Sequence, residues 1–378
     1  SAGIVIAFLD SVNGIIDTNT LITGFTIQNG YSNGEKPGGG IYCSNASPMI
    51  TECTIKENFS HGLDGYGGGI ALVDSANMTI LNVKIHNNDA RGMRLPGMGY
   101  RYKGKGGGLF IVDSDPVITD VEIMDNFAGE YGGGVYILHS SPIFTNFTIS
   151  GNGGSGILQK GGGVLCEAGS YATFIGGSIS DNGNSDVRWG AILGGGIAVG
   201  GTLLDSSSFH VELTDVLIQD NASRMVGGGV YGSHINLSGC TIIENSATYN
   251  GGGIFTDGEI DFSPTNRCNI YSNSVDSSDV GNDIAISTDY YGNVQTFLDV
   301  IVDTFTVTDP TDYYATPIDS FSFDILVGLD ILETDPLIIP LAFVLYPNYP
   351  NPFNPETTLR YDLPQDAMVN ITVFDMMG

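Results

Sequence analysis

Three consecutive glycines followed at once by an aliphatic residue occur eight times in this chain. Glycines 38–40 precede Ile41, 67–69 precede Ile70, 106–108 precede Leu109, and 132–134 precede Val135. Glycines 161–163, 194–196, 227–229 and 251–253 then precede Val164, Ile197, Val230 and Ile254. Self-similarity at a period of this size marks a repeat architecture, in which each unit buries its apolar face only by stacking on its neighbours.

A second signal lies between the triplets. Isoleucine is followed three residues later by asparagine in Ile55/Asn58, Ile85/Asn88, Ile123/Asn126 and Ile149/Asn152, and again in Ile179/Asn182, Ile218/Asn221, Ile242/Asn245 and Ile270/Asn273. Ile27 with Asn29 is a shortened version in the first unit. Two before each isoleucine stand Phe25, Cys53, Val83, Val121, Phe147, Gly177, Val216, Cys240 and Cys268, which share its strand face. Five before it stand Ile22, Ile50, Ile80, Ile118, Phe144, Phe174, Leu213, Leu237 and Thr265. The odd step between those two slots requires a bend, and the residue at the bend is Gly24, Glu52, Asn82, Asp120, Asn146, Gly176, Asp215, Gly239 or Asn266, all turn formers or acids.

Each unit therefore reads as three short strands joined by tight corners. Helices are excluded by the lack of 3.6-residue periodicity, by β-branched apolar slots and by 54 glycines. Strands this short must pair with the next unit, parallel and in register, about 4.8 Å per rung. Crossover handedness favours a right-handed coil. The expected fold is all-β: a right-handed parallel β-helix of about nine or ten coils over residues 1–290. The asparagines are expected to take left-handed backbone angles and to stack as an amide ladder, and the glycines to let backbones approach closely.

The balance of 42 acidic against 13 basic residues, net −29, makes nucleic acid and anionic membrane surfaces poor partners. No apolar stretch is long enough for a membrane-spanning helix. Ser1-Ala2-Gly3 leads directly into the apolar run Ile4–Phe8, as if upstream coils or a leader preceded it. Five cysteines do not form a disulfide framework. Cys53, Cys240 and Cys268 share an inward slot, and Cys43 and Cys166 share another, as small apolar fillers. Cys240 and Cys268 fall on adjacent rungs, close enough to be considered for a bond.

Beyond Asn273 the pattern fades. From Asp257 to Asp335 sixteen acids face one base, Arg267, and 291–335 read as last coils or a β-rich cap over an open end. Asp276, Asp279 and Asp283 form a weak calcium candidate, with a solvated acidic loop the plainer reading; no other cofactor is expected. Residues 336–355 are a proline-punctuated linker ending Tyr346-Pro347-Asn348-Tyr349-Pro350-Asn351-Pro352-Phe353-Asn354-Pro355. With the alternating segment Val369-Asn370-Ile371-Thr372-Val373 beyond it, 356–378 resembles the opening of the immunoglobulin-like C-terminal sorting domain of type IX secretion substrates. That resemblance covers about 33 residues and implies a partial domain, export across an outer membrane, and a place at the bacterial cell surface or outside the cell. The repeats, with Gly24-Phe25-Thr26-Ile27-Gln28-Asn29-Gly30 and Gly38-Gly39-Gly40-Ile41-Tyr42-Cys43, resemble secreted right-handed β-helix proteins such as the polymorphic outer-membrane adhesins. Such a likeness implies a scaffold and an address, not a reaction.

The functional expectation is a non-enzymatic surface or extracellular-matrix protein: an adhesin, or a subunit of a self-assembling filament. Its rival is a polysaccharide lyase or glycoside hydrolase, for which the corner acids Glu52, Asp120 and Asp215 are the available carboxylates. The longest unit carries a basic insertion, Arg91, Arg94, Arg101, Lys103 and Lys105 interleaved with Tyr100 and Tyr102. Long loops on rigid scaffolds tend to carry function. The expected partner there is an acidic glycan or the acidic region of another copy.

Overall fold

In the computed structural model, the described residues are 3–9, 16–33, 36–62, 65–92, 103–154, 160–183, 191–200, 209–258, 260–263, 266–276 and 282–286. Beyond these, it describes the backbone of five strands after residue 300. The chain divides into two units, Ser1–Leu329 and Asp330–Gly378.

The first unit is a right-handed parallel β-helix. The strand after each glycine triplet joins an eleven-stranded parallel sheet, running from Ile6–Leu9 and Ile41–Ser44 through Val135–Leu138 to Ile284–Ile286 and Tyr313–Ala315. We call this sheet one. A fifteen-stranded sheet two holds the remaining long strands. In the five central coils the second and third expected strands are one continuous strand: Thr79–His86, Val117–Met124, Ile143–Ser150, Tyr171–Ser180 and His210–Gln219. In the outer coils they are separate, as in Met49–Thr51 and Thr54–Lys56. The bend is where the odd step placed it, at a residue with left-handed φ: Glu52 (52°), Asn82 (51°), Asp120 (54°), Asn146 (50°) and Asp215 (54°). Two-residue strands such as Asp89–Ala90 and Phe127–Ala128 form a third, short face.

Register stacks like on like, with Ile55, Ile85, Ile123, Ile149, Ile179 and Ile218 in one column. All are fully buried, together with the aliphatic residue after each triplet. The inward reading holds along the column two before the isoleucine, except for Phe25, which is 60% exposed. Gly177, at the same slot, leaves room for the Phe147 ring, which a Cβ there would meet at 2.7 Å. Thr265 lies outside the described residues; the column it was expected to continue passes from Leu237 to Phe262, because the ninth coil is longer at this corner.

The three glycines of a triplet have different jobs. The first takes positive φ, as in Gly132 (58°). At the third, a Cβ on Gly134 would lie 2.7 Å from the Gly163 carbonyl oxygen and 3.0 Å from the Asn152 amide.

That amide belongs to a buried ladder. In Asn58, Asn88, Asn126, Asn152, Asn182, Asn221 and Asn245, each Nδ2 donates to the Oδ1 of the next asparagine at 2.9–3.1 Å. Each also donates to the carbonyl of the isoleucine one coil back, as Asn152 does to Ile123 at 2.8 Å. The expectation that these asparagines adopt left-handed angles is corrected: the left-handed residue is the one before, namely Glu57, Asn87, Asp125, Gly151, Asp181, Asp220, Glu244 and Ser272. The left-handed residue turns the chain, and the asparagine side chain is thereby aimed inward along the stack. In the first coil Asn29 (φ 60°) is the turning residue, and the ladder slot is Gly30, whose N–H donates to Asn58 Oδ1.

The ladder is directional, so its far end needs an acceptor that has nothing to donate. Asp283 supplies it: its Oδ1 accepts from Asn273 N at 3.0 Å and from Nδ2 at 2.8 Å. Asp283 continues the column of third glycines, its carbonyl accepting from Ile254 N. Its side chain reaches the place an asparagine amide holds in earlier coils. Asp283→Ala should lower stability by roughly 1–3 kcal/mol through two lost buried bonds. Amide exchange should then quicken around Asn273 and stay unchanged at Asn126; uniform quickening would mean the cap is not local.

Strands Ile301–Phe305, Tyr313–Ala315 and Ser322–Ile325 extend the two sheets, so this stretch contributes further rungs. In the second unit the described element is an antiparallel pair, Val344–Leu345 with Tyr361–Asp362.

All five cysteines are buried free thiols. Burial pushes the Cys43 thiol up to about 12 and Cys166 up as well. At Cys268 a hydrogen bond with Cys240 and then burial act in the same direction. Because all five are buried, iodoacetamide near pH 8 should leave the native protein unlabelled and label all five after unfolding. Fast native labelling of Cys43 or Cys166 would contradict their inward placement.

Candidate functional site

Of the basic insertion, Arg94, Tyr100, Arg101 and Tyr102 lie outside the described residues. Arg91, Lys103 and Lys105 are placed, and two of them are engaged by the scaffold. Arg91 donates from Nε to Asp89 Oδ2 at 2.7 Å and lies 4.7 Å over the Phe127 ring. Lys105 sits 5.3 Å from the Tyr131 ring centroid and 4.6 Å from that of Tyr136, and donates to Tyr136 Oη at 2.9 Å. Lys103 is exposed. Asp276 is exposed, Asp279 lies outside the described residues, and Asp283 faces inward as the ladder cap. Among the described residues no cluster of His, Cys, Asp and Glu is grouped as a metal site would require.

Lys105 leads into a feature that the repeat pattern did not show. The residue next to each buried aliphatic of sheet one points outward, and it too is mostly apolar, as in the runs Leu109–Val112 and Val135–Leu138. Here it is covered. Ala71, Phe110, Tyr136, Leu165, Ala198, Tyr231 and Phe255 form a second apolar cluster on the outer side of sheet one. Phe110 stacks between Tyr66 and Tyr136, with centroids at 4.9 and 5.3 Å. Because these rings stack along the helix axis, their faces are used on one another.

Within this cluster Lys105, Tyr136 and Glu167 form one hydrogen-bonded chain across three coils: Lys105 donates to the phenol oxygen, and the phenol donates to Glu167 Oε2. Burial, then the Glu167 charge, pushes the Tyr136 phenol far up, which keeps it a donor at any ordinary pH. A similar pair stands three coils on, where Tyr231 donates to Asp257 at 3.3 Å. Burial pushes Asp257 up, and that hydrogen bond opposes it.

The corner acids proposed as catalytic carboxylates are used locally. Asp120 accepts from Asn146 Nδ2, and Asp215 Oδ1 accepts from Asn266 Nδ2 at 3.0 Å. Glu52 is exposed at its bend. All three turn the chain with left-handed φ.

A different surface is set by the outward residues of sheet two ahead of the bend. Six successive coils each present one threonine and one aliphatic residue: Leu21 with Thr23, Met49 with Thr51, Leu81 with Thr79, Val117 with Thr119, Ile143 with Thr145, and Ile175 with Thr173. They are held in register. Twelve positions pass without a charge, until Glu212 in the next coil. Leu21, Val117, Ile143 and Ile175 are 39–53% exposed. The rims are acidic: Asp74, Asp113 and Asp115 on one side, Glu52 and Asp120 on the other.

Residues 107–293 match the family model for the right-handed β-helix region. Searches of curated proteins and of solved structures returned no match. Among the described residues no helix is long and apolar enough to cross a membrane.

Proposed function

We propose that this chain is a non-enzymatic β-helix of the bacterial cell surface or extracellular matrix, acting as an adhesin or as a filament subunit. The observation that supports this most is the uncharged strip on sheet two: on a chain with net −29, six coils keep a smooth hydroxyl-and-methyl face free of charge. Exposed apolar surface in a row marks interaction. The YPNPFNP-type run at 349–355 supports delivery through a type IX route. Immunogold labelling and surface proteolysis of intact producing cells test the address; protein confined to the cytoplasm would remove this reading. Electron microscopy of the purified chain separates a filament subunit from a monomeric adhesin.

The cations of the insertion are proposed as a second contact, for an acidic glycan or another copy. Changing Arg94, Arg101 and Lys103 together to Gln should weaken such binding or assembly, and about 0.5 M salt should mimic the change by screening. Equal binding by the triple variant at every ionic strength would make the insertion a solvated loop.

The enzyme reading has one specific observation behind it, the Lys105–Tyr136–Glu167 chain, in which a buried phenol is poised between a half-buried cation and a carboxylate. Release of unsaturated or reducing ends from uronate or neutral polysaccharides, lost in Tyr136→Phe, would establish it. Without turnover the chain is a packing network.

A further inference from the structure

We propose that the uncharged strip of sheet two is a docking face for an extended, neutral, β-linked polysaccharide; this deepens the adhesin reading and rests on it. Three features select that occupant. The first is charge. Acids outnumber bases on both rims, through Asp74, Asp113 and Asp115 on one side and Glu52 and Asp120 on the other, and the nearest lysine past the bend, Lys84, is paired with Glu122 at 2.9 Å. A second copy laid face to face would set acid against acid, and an anionic glycan would be repelled from both sides. A neutral partner meets neither penalty.

The second is size and shape. Six rungs span about 24 Å, and the two outward positions of each coil are about 7 Å apart. A strip of that outline falls short of the roughly 800 Å² per partner of a standard protein interface. It is long and narrow, as a single extended polymer chain is.

The third is chemistry. Every coil offers one hydroxyl and one aliphatic group, as in Val117 with Thr119 and Ile143 with Thr145. A lipid or other wholly apolar partner would bury those hydroxyls without hydrogen bonds. A pyranose chain presents C–H faces and hydroxyl edges, so it satisfies both kinds of group, and its sugar-by-sugar repeat is of the same order as the rung spacing. Tyr171, two residues before Thr173 on the same face and 48% exposed, adds an aromatic ring at the edge of the strip.

The experiment uses the full chain with microcrystalline cellulose, chitin and a soluble mixed-linkage β-glucan as neutral probes, and polygalacturonate as the anionic control. Wild type should be retained by at least one neutral probe at low and at about 0.5 M salt alike, and should ignore polygalacturonate on this face, as read with the triple Gln variant of the insertion. Val117→Lys with Ile175→Lys, both at exposed sites, should weaken retention about tenfold or more, because each ammonium would stand where a sugar face must pack and would have to be stripped of water to admit it. Melting and circular dichroism establish that the variant is folded, and the milder Ile143→Ser serves as a second reading if it is not. Passage of wild type through all three neutral probes overturns the proposal, as does retention unchanged in the folded lysine variant. A dimer in solution that the lysine pair dissociates also overturns it, and makes the strip a protein interface. Retention on cellulose by a protein found only in the cytoplasm would sink the adhesin reading while leaving the docking face standing.

Discussion

Ile149→Asp is expected to leave no stably stacked β-helix, and Ile123→Asp the same, because each puts a carboxylate into a column with isoleucine above it and isoleucine below it. Ile149 is fully buried and in register with Ile123 and Ile179. Nothing in the column can pair with the charge. An unpaired buried charge costs several kcal/mol even when the group shifts its pKa and enters neutral, which is a large part of the stability of an ordinary domain. A β-helix adds a further reason. Its energetics are close to a sum of nearest-neighbour interfaces, so damage at one rung removes two interfaces and divides the stack in the middle. Circular dichroism and limited proteolysis provide the readout. Cleavage should appear near residues 150–160, with the β-type signal lost in whole or in large part. Conversely, a variant that keeps wild-type dichroism and melting would show that the column does not face inward. Ile149→Val is the control and should cost only about 0.5–1.5 kcal/mol.

The repeat makes this column legible in the sequence, because isoleucine recurs three residues before an asparagine in every unit from Ile55 to Ile270. The bend was legible for the same reason: an odd step between two inward slots allows no straight strand, and Glu52, Asn82 and Asp120 are found there with left-handed φ. What escaped was whatever depends on a choice between adjacent residues. Asn88 enters the ladder as its spacing from Ile85 implies, but the left-handed angle expected of it falls on Asn87, a choice that only the backbone decides. Asp283 was grouped with nearby acids because it follows them in sequence; its place in the column of third glycines becomes visible only through register. Phe262 replaced Thr265 because extra residues moved the corner. The outer cluster around Tyr136 was not drawn from the repeat, although the unbroken apolar runs Leu109–Val112 and Val135–Leu138 carry its signal, since such runs suit strands covered on both faces. Of the candidate insertion, the structure shows Arg91 and Lys105 held by Asp89, Phe127, Tyr131 and Tyr136. Sequence spacing gives no account of such engagement.

Replacing Asn152 with leucine should rank next in effect, and it tests the ladder more sharply than an alanine would. Leucine is close to asparagine in outline, so little cavity is created and the loss is mainly of hydrogen bonds. Five are involved. Asn126 loses the acceptor for its N–H (2.9 Å) and for its Nδ2 (3.1 Å). The carbonyls of Ile123 and Ser150 lose a donor at 2.8 and 3.0 Å, and Asn182 Oδ1 loses one at 3.0 Å. All but the half-buried Ser150 carbonyl are in the interior of the stack, where water does not readily replace the partner. Removing one side of a buried pair leaves the desolvation penalty of the other, about 1–3 kcal/mol per group. Several at once make a cost of roughly 3 kcal/mol or more the expected result, in a network whose members polarise one another. Gly134 sharpens the test further. Its absent Cβ is what admits the Asn152 amide, at 3.0 Å from where that carbon would stand. In the Asn152→Leu variant the slot no longer holds a polar group, but the Gly163 carbonyl still closes it at 2.7 Å. Gly134→Ala should therefore be as damaging in the leucine background as in wild type. If the leucine variant melts with wild type, the ladder is a bystander to the stacking of the strands; if Gly134→Ala becomes harmless beside it, the glycine serves the asparagine alone.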